Sequence, residues 1–255
     1  MRYKLFILEV LNYRTSSASR NSKSTSFYVR IFNAFTIDNT LEKFINVTKI
    51  ITFVIKMITL LKTGYWKVMQ LFYKNKSAHY HLREISRLTK LHGPSVSAIL
   101  NELEEKGILK SQRQGNLREY SIIRNKNTFL IYTIFDLERW NRLPTIRKQA
   151  IECYLDKLPE QPIFVILFGS TAKETYRSGS DVDILIITNK IISTEDAEKE
   201  ANALTGIKVS SFQMNRDQFL KEIKLKEDSV VQSALNTGYP QINHISYYEK
   251  YYERI

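Results

Sequence analysis

Two aspartates, Asp181 and Asp183, sit two residues apart in "SDVDILIIT", at the head of a run of Ile and Leu. In an extended strand, residues i and i+2 share a face, so both carboxylates point the same way. Side by side on a buried strand they repel each other and lose hydration. A divalent cation neutralises such a pair, and Mg²⁺ favours one or two carboxylates together with phosphate oxygens. Ten residues upstream, the apolar run "IFVILF" ends in Gly169-Ser170. Gly169 lets the backbone approach a ligand closely, and Ser170 with the N–H groups opening the next helix can hold phosphate. These residue types at this spacing suit metal–phosphate chemistry.

The elements that position them read plainly. Ile163–Ser170 is a buried strand, Thr171–Tyr176 a short helix and Ser178-Gly179-Ser180 a turn. Asp181–Thr188 is a second strand, and its unbroken apolar run makes it central in a sheet. A helix over Thr194–Leu204, closed by Gly206, leads to a third strand over Ile207–Met214. Asp217 reads as a first-turn residue of the helix after that.

The pattern Gly169-Ser170, ten residues, Asp181-Val182-Asp183, with Ser180 before the first aspartate, resembles the nucleotidyltransferase domain of the DNA polymerase beta superfamily. It is most similar to the minimal nucleotidyltransferases of archaea and bacteria. The resemblance covers Ile163 to about Thr188 strongly and reaches Ile255 weakly. It implies that Asp181 and Asp183 are catalytic and metal-binding, and that Gly169, Ser170, Lys173 and Ser180 contact nucleotide. It further implies two Mg²⁺ ions roughly 4 Å apart between the carboxylates and an NTP. One would activate the attacking hydroxyl and the other would stabilise the departing pyrophosphate. Such families supply a third carboxylate from the next strand, yet no Asp or Glu occurs between Ala201 and Arg216, and Ser210 or Ser211 holds the expected place. A hydroxyl is a poorer ligand and no general base at neutral pH. Either the two aspartates suffice, with a weakened or one-metal site, or the domain binds nucleotide without efficient turnover.

The front of the chain has a different character. The formal net charge is +12, with 10 Lys/Arg against 3 Asp/Glu in residues 1–62, 11 against 5 in 63–125 and 17 against 18 in 126–255. A basic front half has the electrostatics of a polyanion binder, although a lysine-rich solvated surface reads equally well from charge alone. Gly64–Asn75, His81–Leu91 and Ser95–Leu103 show helical spacing, the last with Ser95 as N-cap and Gly107 as its stop. Two alternating strands then flank Gly115-Asn116 as a hairpin. The order helix, helix, helix, hairpin, carried by "LREISRLTKLHGPSVSAILNELEEKGIL", resembles a winged helix-turn-helix. That resemblance implies DNA contacts from Ser95, Ser97 and Asn101 on the third helix and from Arg113 and Arg118 on the wing, beside Gln114 and Asn116. Glu102, Glu104 and Glu105 at the helix end would repel phosphates.

The expected fold is α+β: an N-terminal winged helix-turn-helix over 63–125, a helical connector over 126–160 and a C-terminal nucleotidyltransferase-like mixed sheet with flanking helices over 161–255. Residues 1–62 carry neither Gly nor Pro and read as a poorly structured or helical extension. Met57 is a candidate true start, which leaves open whether residues 1–56 are natively translated. "FINVTKIITFVIKMITLL" suits a packed or membrane-surface helix better than a transmembrane anchor, given its two lysines. A lone cysteine, Cys153, excludes internal disulfides and multi-cysteine zinc sites and fits a cytoplasmic protein. His79 and His81 suit a solvated turn, and "YYEKYY" a tail helix packed on the sheet.

Three functions compete. The first is transfer of NMP, AMP foremost, from NTP to a protein or other hydroxyl acceptor. The resemblance to antitoxin-like minimal transferases adds a HEPN-type toxin as a partner. The second is a DNA-binding regulator, with homodimerisation an option, whose degenerate transferase domain senses nucleotide. The third is an assembly module.

Overall fold

The structure is a computed structural model and describes residues 64–253. The readings of residues 1–62 and of the helix over Phe44–Leu61 lie outside the described residues. Helix α1 (Gly64–Lys74) buries Val68, Met69, Phe72 and Tyr73. A two-residue strand β1 (Tyr80–His81) precedes α2 (Leu82–Thr89) and α3 (Gly93–Glu105), followed by β2 (Leu109–Gln114) and β3 (Leu117–Ile122). The three strands form one antiparallel sheet in the order β1-β3-β2. Strand β1 escapes sequence reading because two residues show no alternation.

Ser95 does not cap α3. The N-cap is His92, without a side-chain cap, and Pro94 lies in the first helical turn. Proline fits there because its missing N–H would have had no helical partner, so the helix starts earlier than the serine suggests. The other end is as expected. Gly107, at φ 64°, donates its N–H to Glu104, and Ile108 donates to Leu103, the paired bonds of a left-handed helix stop. In the hairpin Gln114 pairs with Leu117, and Gly115 takes φ 63° as the first central residue of a two-residue turn.

Helix α4 (Lys126–Arg142), capped by Asn125 accepting from Thr128 N, does more than connect. It is buried from Thr128 to Leu137 without a break, so amphipathic spacing along it is weak. One apolar cluster runs from Val68, Met69 and Phe72 through Phe135 to Phe164, Ile166 and Tyr248.

Helix α5 (Thr145–Asp156) leads into β4 (Phe164–Phe168), the short α6 (Gly169–Ala172), β5 (Val182–Thr188), α7 (Glu195–Thr205), β6 (Val209–Asn215), α8 (Arg216–Leu225), α9 (Ser229–Thr237), β7 (Tyr239–Ile242) and α10 (His244–Tyr252). The sheet order is β6-β5-β4-β7. Strands β5 and β6 are parallel and the other pairs antiparallel, so the sheet is mixed and β5 is central, as its apolar run implied. The fold is α+β. Strand alternation sorts the two faces: Val165, Leu167, Ile184 and Ile186 pack with α5 and α7, while Phe164, Ile166, Leu185 and Ile187 pack with α8 to α10. The helix expected over Thr171–Tyr176 is shorter and earlier: α6 ends at Ala172, and Glu174 turns the chain at φ 59°. The tyrosine-rich tail packs as α10, with Tyr247, Tyr248, Tyr251 and Tyr252 buried.

Candidate active site

The end of the mixed sheet brings three strands into one row. Phe168 on β4 pairs with Asp183 on β5, and Asp183 pairs with Ser210 on β6. Asp181, just before β5, stands beside them. Both aspartates are half-buried. Burial pushes the Asp183 carboxyl above its ordinary value, Asp181 pushes it further, and the Lys173 ammonium opposes both. Burial is the larger cause, and the like charge of Asp181 on the same strand face adds to it.

Gly169 is required by geometry. It sits at φ 67°, and a Cβ there would lie 2.0 Å from Asp183 Oδ2. The β4–α6 junction thus passes directly against the carboxylate, and any side chain there would have to displace it.

The register also decides between the two serines. Ser210 Oγ donates to Asp181 Oδ2 at 2.9 Å, on the carboxylate face. Ser211 points the other way, its hydroxyl bonding Glu198 Oε1 and Thr194 Oγ1. Ser210, not Ser211, therefore stands on the face of the two aspartates. Lys208 Nζ also reaches Asp181 Oδ2, at 3.3 Å. One oxygen of Asp181 is thus held by two donors. No group of three or more His, Cys, Asp or Glu able to hold a metal occurs among the described residues. The two aspartates fit Mg²⁺ only in the manner that completes its shell with phosphate oxygens and water.

Ser170 is half-buried at the start of α6, and Lys173 is exposed on the turn after it. Ser180 Oγ accepts from Arg177 N at 2.9 Å, closing the Ser178-Gly179 turn, so its hydroxyl serves the loop.

Arg147 on α5 was not signalled by the sequence. It is 5% exposed. Its guanidinium donates to Thr171 Oγ1 and to the Ser180 carbonyl, both at 2.9 Å, and lies 4.1 Å from the centre of the Tyr176 ring. Those contacts tie the two ends of the loop joining Gly169-Ser170 to Asp181. A single arginine on an ordinary helix has no spacing that marks it.

In the front segment, Ser95 and Asn101 are exposed and Ser97 is half-buried on α3. Arg113 is exposed and makes no ion pair among the described residues. Arg118 is differently placed: it donates to Glu104 Oε2 at 2.8 Å and Ser111 Oγ at 2.7 Å, clamping the wing to α3. Glu102 pairs with Lys106. Two of the three acids at the end of α3 are thus neutralised internally. His79 pairs with Glu119 at 3.1 Å.

The segment that holds Asp181 and Asp183 also carries a family signature. Residues 147–237 match the nucleotidyltransferase domain family. The matched segment runs from Arg147 through α9 and contains Gly169, Ser170, Asp181, Asp183 and Ser210. No curated protein matches the chain. Among solved structures, similarity extends to the transcriptional repressor BigR from Xylella fastidiosa, at 17% identity over 39% of this chain and 97% of that one, with a TM-score of 0.31. It extends also to the homodimeric winged helix-turn-helix domain of Mb0332 from Mycobacterium bovis, at 16% identity, 43% and 94% coverage and a TM-score of 0.31. The archaeal chromatin protein TrmBL2 matches at 18% identity over 68% of this chain and 74% of that one, with a TM-score of 0.22. Scores this low do not bear on what the chain does.

Proposed function

We propose that this chain is a nucleotidyltransferase that binds Mg²⁺–NTP at Asp181 and Asp183 and moves NMP, AMP foremost, to a hydroxyl of a protein or other acceptor, while its winged helix binds DNA in the cytoplasm. The observation that carries the reading is the fit of Gly169 against Asp183 inside a segment of the nucleotidyltransferase family. A glycine pressed on a carboxylate at a strand end leaves room for a ligand that needs both backbone and acid. Asp181 and Asp183 would hold the ion together with phosphate oxygens, and the ion, when bound, supplies charge neutralisation for the transferred group and pyrophosphate. Gly169 and the first N–H groups of α6 cradle phosphate, and Lys173 adds a cation beside them. Ser210 supports Asp181 but offers no base, so turnover is slower than a third carboxylate would allow. The bonds from Ser210 and Lys208 to Asp181 favour a second reading, in which the domain senses nucleotide and the winged helix reports it.

Incubation with α-labelled ATP, Mg²⁺ and cell extract tests the first reading. Label transferred by the wild type and lost in Asp181→Asn/Asp183→Asn supports it. A Mg²⁺–ATP thermal shift without transfer supports the second. Neither transfer nor shift sinks both.

A further inference from the structure

A cleft of about 390 Å³ opens between α1 and the turn after α6, lined on one side by Lys74 and Lys76 and on the other by Lys173. That volume lies in the range of small-ligand sites, roughly 300–1,000 Å³. Its floor is α4, through Arg139 and Arg142. The acids lining it, Glu138 and Glu174, are both held by Arg142, at 3.8 and 2.9 Å. Arg139 is fixed from behind: it donates to the carbonyls of Ala172 at 2.8 Å and Thr237 at 2.9 Å, and contacts Tyr73 Oη. Lys74 and Lys173 are exposed and make no ion pair among the described residues. The cleft therefore presents positive charge that its own acids do not cancel.

Its position matters as much as its charge. Lys173 belongs both to this cleft and to the field around Asp183. Ala172 and Lys173, which follow Gly169-Ser170, line the cleft together with Lys74, on a helix outside the matched segment.

We infer that this cleft is a polyphosphate site, taking the tail of an NTP or released pyrophosphate between Lys173 and the α1 residue Lys74. The inference builds on the nucleotide reading of Asp181 and Asp183 and adds a second wall to it. Nucleotide is then gripped by the first helix of the winged segment as well as by the sheet, and AMP, lacking the tail, is not.

Thermal shift of the full chain with inorganic tripolyphosphate and no metal tests this. The wild type should be stabilised, and so should Asp181→Asn/Asp183→Asn, since neither carboxylate belongs to the cleft. Lys74→Glu should lose the shift, and Lys74→Gln, which keeps the length without the charge, should lose most of it. With Mg²⁺ present, Lys74→Glu should weaken ATP binding by about tenfold or more, as loss of one charge-assisted contact implies, and leave AMP binding unchanged. A pyrophosphate shift equal to that of tripolyphosphate assigns the cleft to the leaving group, and a shift with tripolyphosphate alone assigns it to the NTP tail. Absence of any shift in the wild type, or its survival in Lys74→Glu, overturns the inference. If tripolyphosphate binds as described while Mg²⁺–ATP gives no further effect through Asp181 and Asp183, the transferase reading fails and the cleft stands.

Discussion

Asp183 Oδ2 lies 2.0 Å from the point where a Cβ on Gly169 would sit. Gly169→Ala must therefore move the carboxylate or the β4–α6 junction, and it also places alanine at φ 67°. The backbone conformation alone costs about 1–3 kcal/mol. The variant should melt lower and lose the stabilisation by Mg²⁺–ATP. Gly179→Ala, equally at positive φ but with open space around it, should melt lower and keep the nucleotide effect. Equal nucleotide responses in the two variants would refute the role of Gly169.

Ser210→Asp puts a carboxylate on the Asp181–Asp183 row, while Ser211→Asp puts one beside Glu198 on the other face. The apo form of each should be less stable, because each adds like charge. Only Ser210→Asp should tighten Mg²⁺ binding and raise transfer of AMP, measured by calorimetric titration and label incorporation. A gain from Ser211→Asp would show that the register of β6 is not what matters.

Asp136 and His244 make opposed contributions to stability against pH. Burial raises Asp136 to about 7 from its ordinary 3.8, offset in part by bonds from Tyr73 and Tyr248. Between those values the folded state binds more protons than the unfolded, so stability falls as pH rises from about 4 to about 7. Burial lowers His244 to about 3 from 6.5. There the unfolded state binds more protons, so stability rises from about pH 3 to about 6.5. The wild type should be nearly flat between about pH 4 and 6.5. His244 Nε2 lies 3.9 Å from Asp136 Oδ2, so the two titrate as a pair, and Asp136→Asn should tilt the profile toward the rise and His244→Phe toward the fall. Urea titrations across pH measure this, and matching slopes in both variants would contradict it.

Arg113→Ala should weaken DNA binding and lower its salt slope by about 0.9, the effect of one phosphate contact. Arg118→Ala should act through the wing, freeing it from Glu104 and leaving that acid exposed to phosphate. Its loss of affinity should be partly restored by Glu104→Gln. An unchanged slope in Arg113→Ala would take the wing off the contact surface.

Much of this arrangement is legible in the sequence because it is local. The apolar runs around Gly169 and Asp183, the Gly115-Asn116 turn and the Gly107 stop each depend on a few neighbouring residues. What escapes depends on distant partners. Whether Ser210 or Ser211 faces the aspartates is set by pairing with β5, and one residue of slip would exchange them. Arg147 and Asp136 are polar residues in helices, and only the tertiary fold reveals that one anchors a loop and the other lies at 0% exposure between two tyrosines. The shortened α6 reflects the Glu174 turn, at a residue type that rarely adopts positive φ.

Helix α4 belongs equally to the winged segment before it and to the sheet after it, since Phe135 shares one cluster with Val68 on α1 and Phe164 on β4. The winged segment and the transferase segment are consequently not interchangeable cassettes. A cut on either side of α4 would bare an apolar surface on both fragments, and a foreign winged helix grafted at residue 126 would meet a helix shaped for another partner. Heating should melt residues 64–253 in one calorimetric step, and evolutionary shuffling of either half would have to carry α4 and its aromatic neighbours along.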